Sequence, residues 1–236
     1  MDQQQLYQSQ NTDETPQNIE GRLRMSYYRT ISVIHSEHNV YLVRHITNGK
    51  IFVRKDMHVY NRSIYESLAD TPVPGIPRIY DLYEENGMLT VIEEYIPGDT
   101  LDELLAQNKK FCIDDVIRIG LRLCEILSTL HSFNPPIIHR DIKPSNIILA
   151  TDWRISLLDL NASKYMNPNA SEDTRLLGTK GFAAPEQYGF GSSDMRTDIY
   201  ALGMLLSTLC TPDELNSLKG KKLLKIIHPD ESRRPI

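Results

Sequence analysis

Eight consecutive residues, His139-Arg140-Asp141-Ile142-Lys143-Pro144-Ser145-Asn146, place a carboxylate, an ammonium and an amide at fixed offsets in one short stretch. The chemistry such a set can do is phosphoryl transfer. That reaction asks little covalent help of a protein: a carboxylate to orient a hydroxyl and accept its proton, and oxygen ligands to hold Mg2+ on the phosphates. Asp141 can be the first, Asn146 can supply a metal ligand, and Lys143 can reach a phosphate oxygen. Downstream, the apolar run Ile147-Ile148-Leu149 and the segment Arg154-Ile155-Ser156-Leu157-Leu158 read as two short strands. A turn near Thr151-Asp152 would return Asp159 to the side of Asn146, giving two oxygen donors of the kind Mg2+ prefers.

These residues need a scaffold, and the pattern of the chain supplies one. Residues 1–18 are rich in Gln, Asn, Ser and Thr and read as a disordered polar tail. Residues 22–95 are mainly strand-like. Thr47-Asn48-Gly49-Lys50 separates Val40-Tyr41-Leu42-Val43 from Ile51-Phe52-Val53, and Asn86-Gly87 precedes Met88-Leu89-Thr90-Val91-Ile92. Asn-Gly between apolar runs is a hairpin signal. Pro72, Pro74 and Pro77 interrupt any helix between the two hairpins. After the linker Ile96-Pro97-Gly98-Asp99, Thr100 with Glu103 three residues on predicts a capped helix start. From Asp114 to Phe133, apolar groups at 116, 117, 121, 123, 124, 127 and 130 predict an amphipathic helix, stopped by Asn134-Pro135-Pro136.

Composition narrows the function classes. The net charge of −5 argues against a nucleic-acid binder, which wants a basic face. No apolar run approaches the roughly 18–20 residues that a membrane span needs. Cys112, Cys124 and Cys210 show no paired spacing and read as free, partly buried thiols of a reducing, cytoplasmic compartment.

Further along lie Gly178-Thr179-Lys180-Gly181-Phe182-Ala183-Ala184-Pro185-Glu186, Asp198-Ile199-Tyr200-Ala201-Leu202-Gly203 and Arg233-Arg234-Pro235. Together with the octapeptide, Asp159-Leu160-Asn161 and Lys55 in Phe52-Val53-Arg54-Lys55, these resemble the signature set of the eukaryotic-type protein kinases. The wording of Gly178–Gln187 resembles the bacterial serine/threonine kinases in particular. The resemblance implies an α+β bilobal fold, with a small antiparallel β-rich N-lobe over 22–95 and a mainly α-helical C-lobe over 96–236. It implies ATP as donor, Mg2+ as metal and a protein with a Ser or Thr hydroxyl as acceptor. Carried over residue by residue, Asp141, Lys143 and Thr179 would be catalytic, and Asn146 and Asp159 would hold the metal. Lys55, Val40, Val53, Glu94, Ile96 and Ile148 would bind the nucleotide, and Glu66 would be the carboxylate partner of Lys55. Glu186 and Arg234 would form a buried scaffold pair, Asp198 would brace the backbone of the catalytic loop, and His139 would be a packed structural histidine. Ser171 and Thr174 would be the accessible phosphorylation candidates.

Several departures qualify that picture. The stretch Val33-Ile34-His35-Ser36-Glu37-His38-Asn39 holds no glycine where the family covers the phosphates with a glycine-rich loop, and Glu37 adds a negative charge there. Leu160-Asn161 replaces the usual Phe-Gly, a mild change because asparagine tolerates positive φ. The interval from Asp198 to Arg234 is short, which points to a reduced C-lobe, completed by a partner protein or truncated. The alternatives left open are a pseudokinase, acting as a nucleotide-binding or scaffolding module, and a small-molecule phosphotransferase, against which the Gly178–Glu186 segment speaks.

Overall fold

The structure is a computed structural model, and it describes residues 16–167, 178–189 and 191–216. Ser171, Thr174 and Arg234 lie outside the described residues. The chain divides into two compact units, one of residues up to His58 together with Tyr80–Tyr95, the other of Val59–Ile79 and everything from Ile96. Residues 59–79 thus group with the later part of the chain, where the sequence alone would count them with 22–95.

The first unit opens with helix α1 (Pro16–Ser26), followed by strands β1 (Tyr28–His35), β2 (Val40–His45) and β3 (Ile51–Met57). Helix α2 (Arg62–Asp70) belongs to the second unit, and β4 (Ile79–Glu85) and β5 (Met88–Glu94) return to the first. The five strands form one sheet in the order β1-β2-β3-β5-β4. Both Asn-Gly signals mark real hairpin turns. Gly49 and Gly87 take left-handed φ of 70° and 73°, which such tight turns demand and glycine adopts freely. One face of the sheet buries Val43, Phe52 and Ile92, with Met25, Tyr28 and Tyr41 packed against them.

Helix α1 is a departure from expectation, since it begins at Pro16, inside the stretch read as a disordered tail. Its own composition is too polar to specify a helix. Long-range pairs anchor it instead: Arg22 to Glu85, and Arg24 to Asp81 at 3.0 Å.

In the second unit, β6 (Asp99–Thr100) leads into α3 (Leu101–Ala106), whose start carries the expected capping box between Thr100 and Glu103. Helix α4 (Ile113–His131) buries Val116, Ile119, Leu123, Ile126, Leu127 and Leu130, a stripe at three- and four-residue spacing. Strands β7 (Ile137–Ile138), β8 (Ile147–Leu149), β9 (Ile155–Leu157) and β10 (Lys164–Tyr165) follow, then α5 (Met195–Leu209), which packs on α4, and the short α6 (Pro212–Asn216). β6, β8 and β9 form a three-stranded sheet, and β7 pairs with β10. The fold is therefore α+β, with a β-rich first unit and a mainly helical second one. None of the described helices is long and apolar enough to cross a membrane.

Candidate active site

The octapeptide runs between β7 and β8, so two short strands fix its ends. Its backbone is fixed from below by Asp198, in the first turn of α5 and fully buried. The Asp198 carboxylate accepts the backbone N–H of His139 at 2.9 Å and of Arg140 at 2.8 Å, and lies 2.8 Å from His131 Nε2 at the end of α4. A carboxylate this deep is tolerable only when several donors meet it. The bracing role expected of Asp198 is what the geometry shows. Arg140 takes a left-handed φ of 71°, a strained backbone for a non-glycine residue, and the two N–H bonds to Asp198 hold it there. His139 is fully buried with Nε2 3.1 Å from the Leu158 carbonyl, a packed position.

Above this floor the functional groups converge. Lys143 Nζ donates to Asp141 Oδ2 at 2.7 Å and to Thr179 Oγ1 at 3.0 Å. Thr179 in turn donates to Asp141 Oδ1 at 2.8 Å, and Asn146 Nδ2 donates to Asp141 Oδ2 at 3.0 Å and to the Asp141 carbonyl at 2.8 Å. Both Asp141 oxygens are thus oriented. Burial alone would raise its pKa. The hydrogen bonds from Lys143 and Thr179, with the positive charge of Lys143 and a smaller contribution from His139, outweigh it and hold the carboxyl below its ordinary value. Gln187, buried in the segment after Ala184-Pro185, ties this layer down by donating to the Arg140 carbonyl at 2.8 Å and accepting the Ala184 N–H at 2.9 Å. Glu186 accepts the Thr197 hydroxyl at 2.7 Å.

The β8–β9 hairpin forms as the sequence implied, and its register sets Ile147 opposite Leu157, with the Leu158 N–H bonded to the Asn146 carbonyl at 2.7 Å. Asp159 follows directly, at a left-handed φ of 62°, with Oδ1 accepting the Asn161 N–H at 3.2 Å. Asn146 turns its NH2 toward Asp141, which leaves its amide oxygen as the donor available to a cation. One carboxylate and one amide oxygen suit Mg2+, which takes few protein ligands and fills its shell from water and phosphate. Among the described residues no group of three or more His, Cys, Asp and Glu side chains is arranged to hold a metal by itself. The Asp159-Leu160-Asn161 segment is also pinned to α2. The buried Tyr65 donates its hydroxyl to Asn161 Oδ1 at 2.8 Å, and Ser67 Oγ lies 2.6 Å from the Tyr165 hydroxyl. Ile148, half-buried on β8, faces Thr100 and Ser156.

In the first unit, Val40 stands directly across from Lys55 in the β2–β3 register, and Val53 lies two residues before Lys55, so all three share one face of the sheet. Glu94 closes β5 opposite Phe52, and Ile96 is half-buried just beyond it in the second unit. The carboxylate beside Lys55 differs from the expectation. Glu66 sits on α2 with its side chain nearly half exposed, paired with Arg62 one turn away at 2.7 Å. Lys55 Nζ lies 2.7 Å from Glu93 Oε1, and both residues are buried. A single motif could not reveal this, but strand parity could have: Leu89, Val91 and Glu93 alternate onto the same face.

The glycine-free turn is built without glycine. Asn39 supplies the left-handed residue at φ 51°, the Asn39 N–H bonds to the Ser36 carbonyl at 3.3 Å, and the Asn39 carbonyl accepts the Asp56 N–H at 3.1 Å.

Residues 32–232 match the family described as protein kinase domain. The chain is 34% identical over 163 residues to serine/threonine-protein kinase B of Synechocystis sp., covering 63% of this chain and 28% of that protein. It is 31% identical over 147 residues to serine/threonine-protein kinase PrkC of Bacillus subtilis (62% and 22%), and 28% identical over 181 residues to serine/threonine-protein kinase Nek1 of Mus musculus (72% and 15%). The chain thus spans less than a third of the length of each of these relatives.

Proposed function

Since the chain belongs to the protein kinase family, we propose that it transfers the γ-phosphoryl group of ATP to serine and threonine hydroxyls of proteins. The observation that carries this is the cluster around Asp141, whose two oxygens are each held by a side chain with a stated role. A carboxylate kept below its ordinary pKa is a weak base, so Asp141 mainly orients the acceptor hydroxyl and takes its proton late. That suits a loose transition state with little bond formation to the nucleophile. Lys143 offsets charge on the transferring phosphoryl oxygens, and Thr179 fixes Asp141 and Lys143 against one another. Asn146 and Asp159 would hold Mg2+, which supplies charge neutralisation on the phosphates when bound. Lys55 would take a phosphate oxygen, and Val40, Val53, Glu94, Ile96 and Ile148 would line the nucleotide.

The acceptor class is a protein hydroxyl, a reading supported by relatives named serine/threonine-protein kinases and by the Thr179 hydroxyl held against Asp141. Free Cys112, Cys124 and Cys210 support a reducing, cytoplasmic setting, although Cys112 and Cys124 are exposed rather than partly buried.

The test is transfer of label from γ-labelled ATP·Mg2+ to a generic protein substrate. Asp141→Asn should lower the rate by about 10²–10⁴-fold while the protein still folds, with a lower melting temperature because the Lys143 and Thr179 contacts lose their carboxylate. A second reading, a nucleotide-binding pseudokinase, is favoured by the absence of glycine from the Ser36–Asn39 turn. Thermal stabilisation by ATP with no transfer would establish it in place of the first.

A further inference from the structure

Lys55 and Glu93 are brought together by sheet geometry alone. β3 and β5 are neighbours with Lys55 directly opposite Val91, so Glu93, two residues on, is the diagonal neighbour of Lys55 on the same face. Diagonal positions are too far apart for short side chains but within reach of a lysine and a glutamate, and here Nζ and Oε1 meet at 2.7 Å. Glu93 ends a run in which Leu89, Val91 and Ile92 are fully buried, and Glu93 itself is 6% exposed. A carboxylate there is costly unless a cation meets it, and the same holds for Lys55 at 9% exposure. Each charge therefore constrains the other. The Glu66–Arg62 pair is the opposite case: an exposed one-turn helix pair, of the sort that contributes little.

We propose that Glu93 is the positioning residue for Lys55, fixing the lysine from within the sheet, in the place where the sequence pointed to Glu66 on α2. The inference rests on Lys55 being the phosphate-contacting lysine of the proposed reaction. On this account the lysine's orientation is set by β3–β5 register and does not depend on a carboxylate from α2. Substitution of Glu66 leaves it in place, whereas loss of Glu93 removes the constraint that the sheet places on the lysine.

The experiment compares Glu93→Gln and Glu66→Gln in the full chain by two readouts. The first is acetylation of Lys55 by a small amine-reactive ester, followed by peptide mass spectrometry across a pH series. A nearby carboxylate favours the charged, unreactive ammonium. Glu93→Gln should therefore speed labelling of Lys55 about tenfold near neutral pH, the change expected when a partner charge worth one logarithmic unit is removed. Glu66→Gln should stay within about twofold. The second readout is kinetic: Glu93→Gln should raise KM for ATP more than it lowers kcat, and Glu66→Gln should move neither. An unchanged Lys55 profile in Glu93→Gln, or a shifted one in Glu66→Gln, overturns the proposal. Should Glu93→Gln not fold, the apolar pair Lys55→Met/Glu93→Leu keeps the question open to measurement. Pairing requires the double variant to melt above Glu93→Leu alone, and melting at the sum of the two single losses overturns it. If wild-type protein transfers no phosphate, the proposed reaction fails while the labelling and melting results still decide whether Glu93 holds Lys55.

Discussion

The catalytic loop and the Ser36–Asn39 turn stand at opposite extremes of how this molecule fixes a loop. At the first, backbone and side-chain groups from three separate stretches meet on Asp141 and Asp198, and each carboxylate oxygen is engaged. At the second, every residue of β1 after Tyr28 is exposed, the turn residues Ser36–Asn39 are exposed, and the turn is held by backbone bonds and one left-handed asparagine. The difference teaches where sequence change should matter. A loop held by buried charge is intolerant at many positions, and a loop held by its own backbone is tolerant at all but the residue with the special φ.

Asp198→Ala is the strongest way to break that contrast. It strips the partner from two backbone N–H groups and from His131 in a fully buried place. The expected loss is about 3–5 kcal/mol, read as a drop in the denaturant midpoint with the slope unchanged. A loss near that of an ordinary surface substitution would mean that the floor of the catalytic loop is not held by Asp198.

Thr179→Val comes next. It removes one hydrogen bond to Asp141 and one acceptor from Lys143, so kcat should fall about tenfold and stability by about 1 kcal/mol. The pH dependence sharpens the point. Asp141 is held below its ordinary value of 3.8, so its contribution to stability is complete above that value and is lost as pH falls through the lower folded value. Losing the Thr179 bond moves the folded value up toward 3.8, so acid unfolding of Thr179→Val should begin at higher pH than in wild type. An identical acid limb would remove Thr179 from the account of Asp141.

The two loops also differ in how legible they were. The octapeptide, Asp159, the β8–β9 hairpin and the Thr100–Glu103 cap are local patterns, and local patterns survive in a sequence without its fold. The contacts that were missed join residues far apart in the chain: Arg22 with Glu85, Lys55 with Glu93, and Tyr65 with Asn161. Nothing in the helix periodicity around Tyr65 marks its hydroxyl as a partner for Asn161, and Glu66 looked eligible for Lys55 because it is the acidic residue of α2 closest to hand. Glu93 needed the strand register, which a single sequence hints at through parity and does not fix.

Tyr65→Phe tests the Tyr65–Asn161 contact at a lower level of effect. The hydroxyl donates to a half-buried acceptor, and losing that bond should cost about 1 kcal/mol. Because Asn161→Gly removes the same bond from the other side, the double variant should be no worse than the sum of the singles, and better by the bond's coupling energy. Strict additivity in denaturant midpoints would show that Asn161 is not what Tyr65 holds.

Glu37→Gln and Glu37→Gly carry the smallest expected effect and bear most directly on the backbone-held loop. Glu37 is exposed and its side chain takes no part in the bonds that shape the turn, so neither change should cost more than about 0.5 kcal/mol. Removing one negative charge should tighten binding of ATP·Mg2+ slightly, by about twofold, because exposed charges act weakly through water and salt. Titration of a fluorescent nucleotide measures this. If Glu37→Gly instead tightened nucleotide binding by more than about tenfold, about 1.4 kcal/mol, a glycine in the turn would be supplying backbone contacts that the native turn lacks. The limit on activity would then lie in the exposed turn of the first unit, and the complete cluster around Asp141 would be waiting on a poorly held phosphate.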